Sequence, residues 1–363
     1  MNRNRYPRLV VDLKKLRHNA EHVLKRCQDQ GIQVAGVIKG CSGLPECAAQ
    51  MAQAGCRFIA SSRLDQLRRA KEYGIQTDLM LIRSPMLSEA AEAVRLAEIS
   101  LNSDNEVLRA LNHQAGLQDK KHKVILMADL GDLREGYWEA QELIDAALMV
   151  EYELHNLELA GIGTNLWCYG SIAPTPEKLS QLAAYAEQIE EKIGRELEFV
   201  SGGSTISYAR VLDANMPRRI NLLRIGEGIL LARDLKELLG YDMSDMYQDV
   251  FTLQAEIIET REKPSYPQGE FMLDAFGNKP EYKDRGIRKR ALLAIGKADY
   301  VFTQMLIPRD REVEIIGATD DHTILDVQDC TRTRKAGDIL EFDLRYAAIV
   351  HAANSPNIEI VYI

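Results

Sequence analysis

Hydrophobic residues fall into two regimes along the chain. Up to about residue 245, short apolar runs alternate with longer stretches whose apolar positions recur at helical spacing. The runs lie at 34–38, 58–60, 79–82, 99–101, 124–128, 159–163, 197–200 and 221–225. Between them, segments 45–54, 64–73, 89–96, 106–114, 140–150, 177–193 and 205–212 read as amphipathic helices. Runs apolar at every position suit strands buried on both faces, and intervening helices make them parallel. Eight such units predict a closed (β/α)8 barrel. A doubly wound open sheet competes, but the G-x-G-x-x-G fingerprint expected after its first strand is missing. After residue 245, runs at 251–259, 270–273, 290–295, 312–317, 322–327, 339–344 and 358–363 are separated by Pro, Gly, Asp and Asn. No amphipathic helix is evident between them, which predicts an all-β domain. The expected organisation is a barrel over 1–245 and a β domain over 246–363, with the boundary inside 240–249. The pattern leaves open whether the N-terminal strand pairs into the second domain.

A barrel carries its chemistry at the C-terminal ends of its strands. The first run ends Val37-Ile38-Lys39-Gly40. An ammonium at a barrel mouth is costly to keep dry, and partial burial lowers its pKa toward that of a nucleophilic or basic amine. Alone, Lys39 fits equally a side chain that snorkels to solvent. After the seventh run comes Ser201-Gly202-Gly203-Ser204-Thr205, and the eighth ends Arg224-Ile225-Gly226-Glu227-Gly228. Glycine-rich loops after strands seven and eight, beside a helix start, form the usual barrel phosphate site. Ser204 adds a hydroxyl, although an ordinary N-cap serine would look the same. A strand-one lysine facing a phosphate cradle suggests pyridoxal phosphate, its aldehyde on Lys39 and its phosphate on the far loops.

These motifs resemble those of the fold-type III pyridoxal-phosphate enzymes, the alanine racemase family, and within it the ornithine/alanine racemase branch. The resemblance spans nearly the whole chain. It implies that Lys39 in VIKG is the Schiff-base lysine and that Arg134 in DLGDLREG contacts the substrate carboxylate. Asn165 in GIGTNL takes the place of a histidine near the cofactor ring. Ser204 and Gly226 would contact the phosphate, Arg224 would face the pyridine nitrogen, and the hydroxyl of Tyr346 would reach the phosphate. The family's tyrosine four residues after the lysine is replaced here by Gly43. The tyrosine that family members contribute from the partner subunit corresponds to Asp274, or in another register to Phe276-Gly277; phenylalanine cannot carry a proton, which favours Asp274. Thr319-Asp320-Asp321-His322 resembles the family's loop on the carboxylate side. Asp320 replaces an apolar residue there, suited to a cationic substrate side chain or simply to a solvated turn.

The resemblance therefore implies a homodimer with shared active sites that racemises amino acids by two-base proton transfer at Cα, with Lys39 and Asp274 as the bases. Ornithine and lysine are favoured over alanine and serine. A decarboxylase of the same fold type is an alternative, but such enzymes resemble this architecture with glutamate where Arg224 stands. A non-catalytic cofactor-homeostasis protein is another, disfavoured by the second domain. A barrel that uses Lys39 without pyridoxal phosphate is a third.

Composition narrows the remaining classes. The 363 residues include 45 Lys and Arg against 54 Asp and Glu, a net charge of −9, which argues against a general nucleic-acid or anionic-membrane binder. The six cysteines include no C-x-x-C pair, so no metal site is expected and reduced thiols are the simplest reading. No apolar stretch approaches the roughly 20 residues of a membrane span, and a cytoplasmic protein is expected.

Overall fold

The computed structural model describes residues 5–273, 277 and 281–363. It divides into two compact units, one of residues 13–247 and one of residues 1–12 with 248–363. Residues 5–12 thus group with the second unit rather than with a barrel domain of 1–245. Strand β1 (Arg8–Val11) is the reason: it belongs to a sheet built from the other end of the chain.

The larger unit is a closed parallel barrel of β2 (Gln33–Val37), β3 (Phe58–Ser61), β4 (Leu79–Leu81), β5 (Ile99–Asn102), β6 (His122–Met127), β7 (Leu157–Gly163), β8 (Phe199–Ser201) and β9 (Leu222–Ile225). Closure comes from β9 pairing with β2 in parallel, Gln33 opposite Leu222 and Ala35 opposite Arg224. Helices alternate with these strands as the periodicity predicts. The longest, Pro176–Ile193, shows the local logic: Thr175 Oγ1 accepts from Lys178 N, Pro176 sits in the first turn, and Gly194 ends the helix at φ +71°. One expected helix is shorter: 205–212 becomes the 3₁₀ turn Thr205–Ser207 followed by the helix Tyr208–Leu212.

Side chains alternate in and out along each strand, so register decides what enters the barrel. Ala35, Val37, Phe58, Ala60, Met80, Ile99, Leu101, Ile125, Met127, Phe199 and Leu222 fill the interior. Phe58 and Phe199 meet edge-on at 5.5 Å across it. Room for Phe199 comes from Gly161, where a Cβ would lie 2.0 Å from the Phe199 carbonyl oxygen. Two residues beyond an interior position comes another, so Lys39 follows Val37, Ser201 follows Phe199 and Arg224 follows Leu222 at the C-terminal end.

In the second unit, β10 (Phe251–Pro264), β11 (Ile287–Leu293), β12 (Leu306–Pro308), β13 (Glu314–Ala318), β14 (Thr323–Asp326) and β15 (Ile339–Leu344) form a sheet in the order β12-β15-β10-β11-β14-β13. β1 pairs antiparallel with β10 and parallel with β16 (Glu359–Tyr362). The apolar run 270–273 forms no strand: Phe271, Met272 and Leu273 are exposed, in a segment that turns at Gly269 (φ +132°). The unit also holds a helix, Tyr346–Ala352, too short for the sequence periodicity to reveal.

Candidate active site

Lys39 opens a short 3₁₀ turn directly after β2. It is accessible from the barrel mouth, yet the surrounding wall strips water from its ammonium. That desolvation lowers its pKa below the ordinary lysine range; Arg134 and Arg224 lower it further, while Cys168 and Glu135 oppose them. The turn forces Ser42 and Gly43 into the left-handed region, at φ +49° and +70°. A Cβ at position 43 would lie 2.5 Å from Gln66 Cβ, so a tyrosine cannot stand there without moving the helix Leu64–Glu72.

On β9, the strand paired with the one that leads into Lys39, Arg224 is 4% exposed and fixed by neutral acceptors. Its Nη1 donates to Ser201 Oγ (2.5 Å), and its Nη2 to the Thr164 carbonyl (2.8 Å) and Asn165 Oδ1 (3.4 Å). Burial pulls its pKa down to about 10, so it stays charged at neutral pH. No carboxylate among the described residues lies within ion-pair distance of it. A buried cation held this way keeps its charge for another acceptor in the mouth.

The loops that follow are locked to one another. Thr164 Oγ1 donates to the Ala128 carbonyl at 2.9 Å, joining the ends of β6 and β7. Buried Asp132 accepts from the backbone N–H groups of Cys168 and Tyr169. Asp129 accepts from Gly131 N and Leu133 N and shapes the loop carrying Arg134. The Arg134 guanidinium grips the Glu135 carboxylate through Nε and Nη2 and donates from Nη1 to Cys168 Sγ at 2.8 Å.

The glycine loops after β8 and β9 are tightly built. A Cβ at Gly202 would meet Ile220 Cγ2 at 2.6 Å, Gly203 has φ +114°, and a Cβ at Gly226 would meet Val37 Cβ at 3.2 Å. Ser204 precedes the Thr205–Ser207 turn, and its side chain makes no capping bond. An ordinary N-cap role therefore does not describe it. A phosphate-tailed pyridine aldehyde suits this set: an amine of lowered basicity, a glycine-lined cradle with an uncommitted hydroxyl, and a buried cation among neutral acceptors.

Glu227, just past Gly226, is 7% exposed. Its Oε1 accepts from Arg233 N (2.8 Å) and Asp234 N (2.9 Å), while buried Oε2 has no partner among the described residues. Burial, with Asp234 adding, pushes its pKa from 4.5 up to about 7. The fold thus favours the protonated carboxyl. The associated stability is complete below about pH 4.5 and is lost as pH rises through about 7. Glu227→Gln keeps the acceptor and removes the titration. Between about pH 5 and 8, its unfolding free energy should lose on the order of 2–3 kcal/mol less than that of the parent. Parallel urea titrations across that range would measure it, and identical pH slopes would count against the assignment.

The sequence-predicted residues divide by unit. Lys39, Arg134, Asn165, Ser204, Arg224 and Gly226 all lie on strand ends or following loops of the barrel. Asp320, Asp321 and Tyr346 belong to the β unit. Asp320 and Asp321 are exposed in the turn joining β13 to β14, which closes through Thr319 N donating to the His322 carbonyl at 2.8 Å. Tyr346 opens the helix Tyr346–Ala352. Asp274 lies outside the described residues. Sequence reasoning passed over Glu135, Cys168 and Ser201. Strand alternation could have found Ser201, two residues beyond Phe199, whereas nothing local marks Cys168.

Comparison with known proteins matches residues 11–234 to a family model described as alanine racemase, N-terminal domain. The chain is 41% identical over 354 residues to an ornithine racemase of Acetoanaerobium sticklandii, covering 98% of this chain and 99% of that protein. It is 38% identical over 357 residues to a lysine racemase of Thermotoga maritima, covering 98% of each. Its fold matches an alanine racemase of Bartonella henselae, solved with covalently bound pyridoxal phosphate, at a TM-score of 0.74 and 16% identity, covering 98% of this chain and 99% of that one.

Proposed function

The chain belongs to the alanine racemase family and is an amino-acid racemase, and from that premise we propose that it inverts Cα of ornithine and lysine in preference to alanine and serine. Its similarity to ornithine and lysine racemases over nearly its whole length supports this reading most strongly.

Lys39 would hold pyridoxal phosphate covalently, with Ser204, Gly226 and Tyr346 on its phosphate, Arg224 on its ring nitrogen and Asn165 beside the ring. When bound, the cofactor supplies an electron sink for the pair left as the Cα proton departs. Arg224 donates hydrogen bonds and gives up no proton, so it holds the ring nitrogen uncharged. That restrains the sink, which suits brief carbanion character at Cα and prompt return of a proton. Arg134 binds the α-carboxylate, and two of its N–H groups match the two oxygens. Inversion needs a proton carrier on each face of Cα. The Lys39 Nζ, of lowered basicity, moves the proton on one face, and the partner subunit's Asp274 moves it on the other. The reading thus includes a homodimer whose sites are shared.

The direct test incubates the cofactor-loaded protein with single enantiomers of ornithine, lysine, alanine and serine and follows optical rotation. Rotation should decay fastest for the two cationic substrates. Carbon dioxide release without the mirror-image product would instead identify a decarboxylase, and no turnover at all a binding protein. Within this reading Asp320 serves the distal ammonium of the substrate. Asp320→Ala should lower kcat/KM for ornithine and lysine by about tenfold, the size of one charge-assisted hydrogen bond, and leave alanine unaffected. An unchanged ranking of substrates would remove Asp320 from the account.

A further inference from the structure

Three cations, Lys39, Arg134 and Arg224, share the barrel mouth. Among the described residues, Glu135 is the carboxylate within electrostatic reach of all of them. Its geometry is specific. A guanidinium has five N–H donors. The Nε donor and one on Nη2 go to the two carboxylate oxygens of Glu135, and one on Nη1 goes to Cys168 Sγ. Among the described residues, one N–H on each of Nη1 and Nη2 therefore has no acceptor, and two such donors can serve a second carboxylate. The Arg134 side chain is about one third exposed and, unheld, would spread over many rotamers.

We propose that Glu135 is the positioning residue of this site, holding Arg134 so that its two remaining N–H groups meet the α-carboxylate of the substrate. This rests on the reading of Arg134 as the carboxylate-binding residue. With both oxygens engaged on Arg134, Glu135 is poorly placed to bind the distal ammonium of the substrate as well. It also offsets the positive field of Arg134 and Arg224 at Lys39, where Cys168 acts in the same direction.

The test is Glu135→Gln in the cofactor-loaded enzyme. Gln keeps one acceptor, places an amide against the guanidinium and removes the charge. KM should rise about tenfold for ornithine, lysine and alanine alike, with kcat far less affected. Removing the negative charge lowers the Lys39 pKa further. The acid limb of the kcat profile should therefore move to lower pH in the direction in which Lys39 takes the proton. Glu135→Asp restores the charge and should recover part of the loss, which a merely structural role would not predict. Propionate binding by calorimetry, independent of turnover, should weaken by a similar factor. An unchanged KM and propionate affinity would overturn the proposal. So would a KM increase confined to ornithine and lysine, which would assign Glu135 to the distal ammonium. A parent enzyme that racemises nothing would remove the functional reading, while the propionate comparison would still decide the role of Glu135.

Discussion

Lys39→Ala is expected to abolish racemisation, lowering turnover by about 10³-fold or more. Two losses combine. In the proposed reading the side chain is the covalent anchor of the cofactor and its amine the proton carrier on one face of Cα; general acid–base catalysis alone is worth roughly 10²–10⁴-fold. Stability should hardly change, because Lys39 is accessible at the barrel mouth and contributes nothing to the packed interior. The variant should therefore melt near the parent temperature and still bind pyridoxal phosphate noncovalently through the loops after β8 and β9. A small added amine such as methylamine should restore part of the rate. Retention of more than a tenth of the parent activity would exclude Lys39 from both roles.

Asp274→Asn should slow racemisation by about 10²–10⁴-fold in both directions, because inversion in either direction passes a proton through both faces of Cα. The covalent link to Lys39 should persist. The distinguishing observation is exchange in heavy water. With Lys39 still acting on one face, one enantiomer should trade its Cα hydrogen for solvent deuterium without inverting, and the other should barely exchange. Unaltered racemisation would place the second proton carrier elsewhere, and equal loss of exchange from both enantiomers would mean that Asp274 supports the site without carrying a proton.

The barrel was legible because its strands are buried on both faces, so each prints a continuous apolar run. The placement of Lys39, Arg224 and the glycines after β8 and β9 at the C-terminal rim of the barrel was legible for a related reason: topology alone puts strand ends there. The assignment of β1 was not. Its partners are β10 and β16, with Arg8 beside Gln254 and Glu359, across the whole length of the chain, and a four-residue strand carries no local sign of such distant pairing. The run at 270–273 misled because its apolar residues are exposed rather than paired. Glu135 and Cys168 were invisible because their roles lie in contacts to Arg134 that loop folding creates. Gly43 was visible as a departure from the family pattern, but its cause, the close approach of Gln66, needed the structure.

The central claim is that one amine, Lys39 Nζ, carries the cofactor covalently. Reduction of the cofactor-loaded protein with borohydride, followed by proteolysis and mass spectrometry, tests it directly. The account predicts a single modified peptide, bearing the reduced pyridoxyl group on Lys39. An unmodified Lys39, or a label on another lysine, would contradict it.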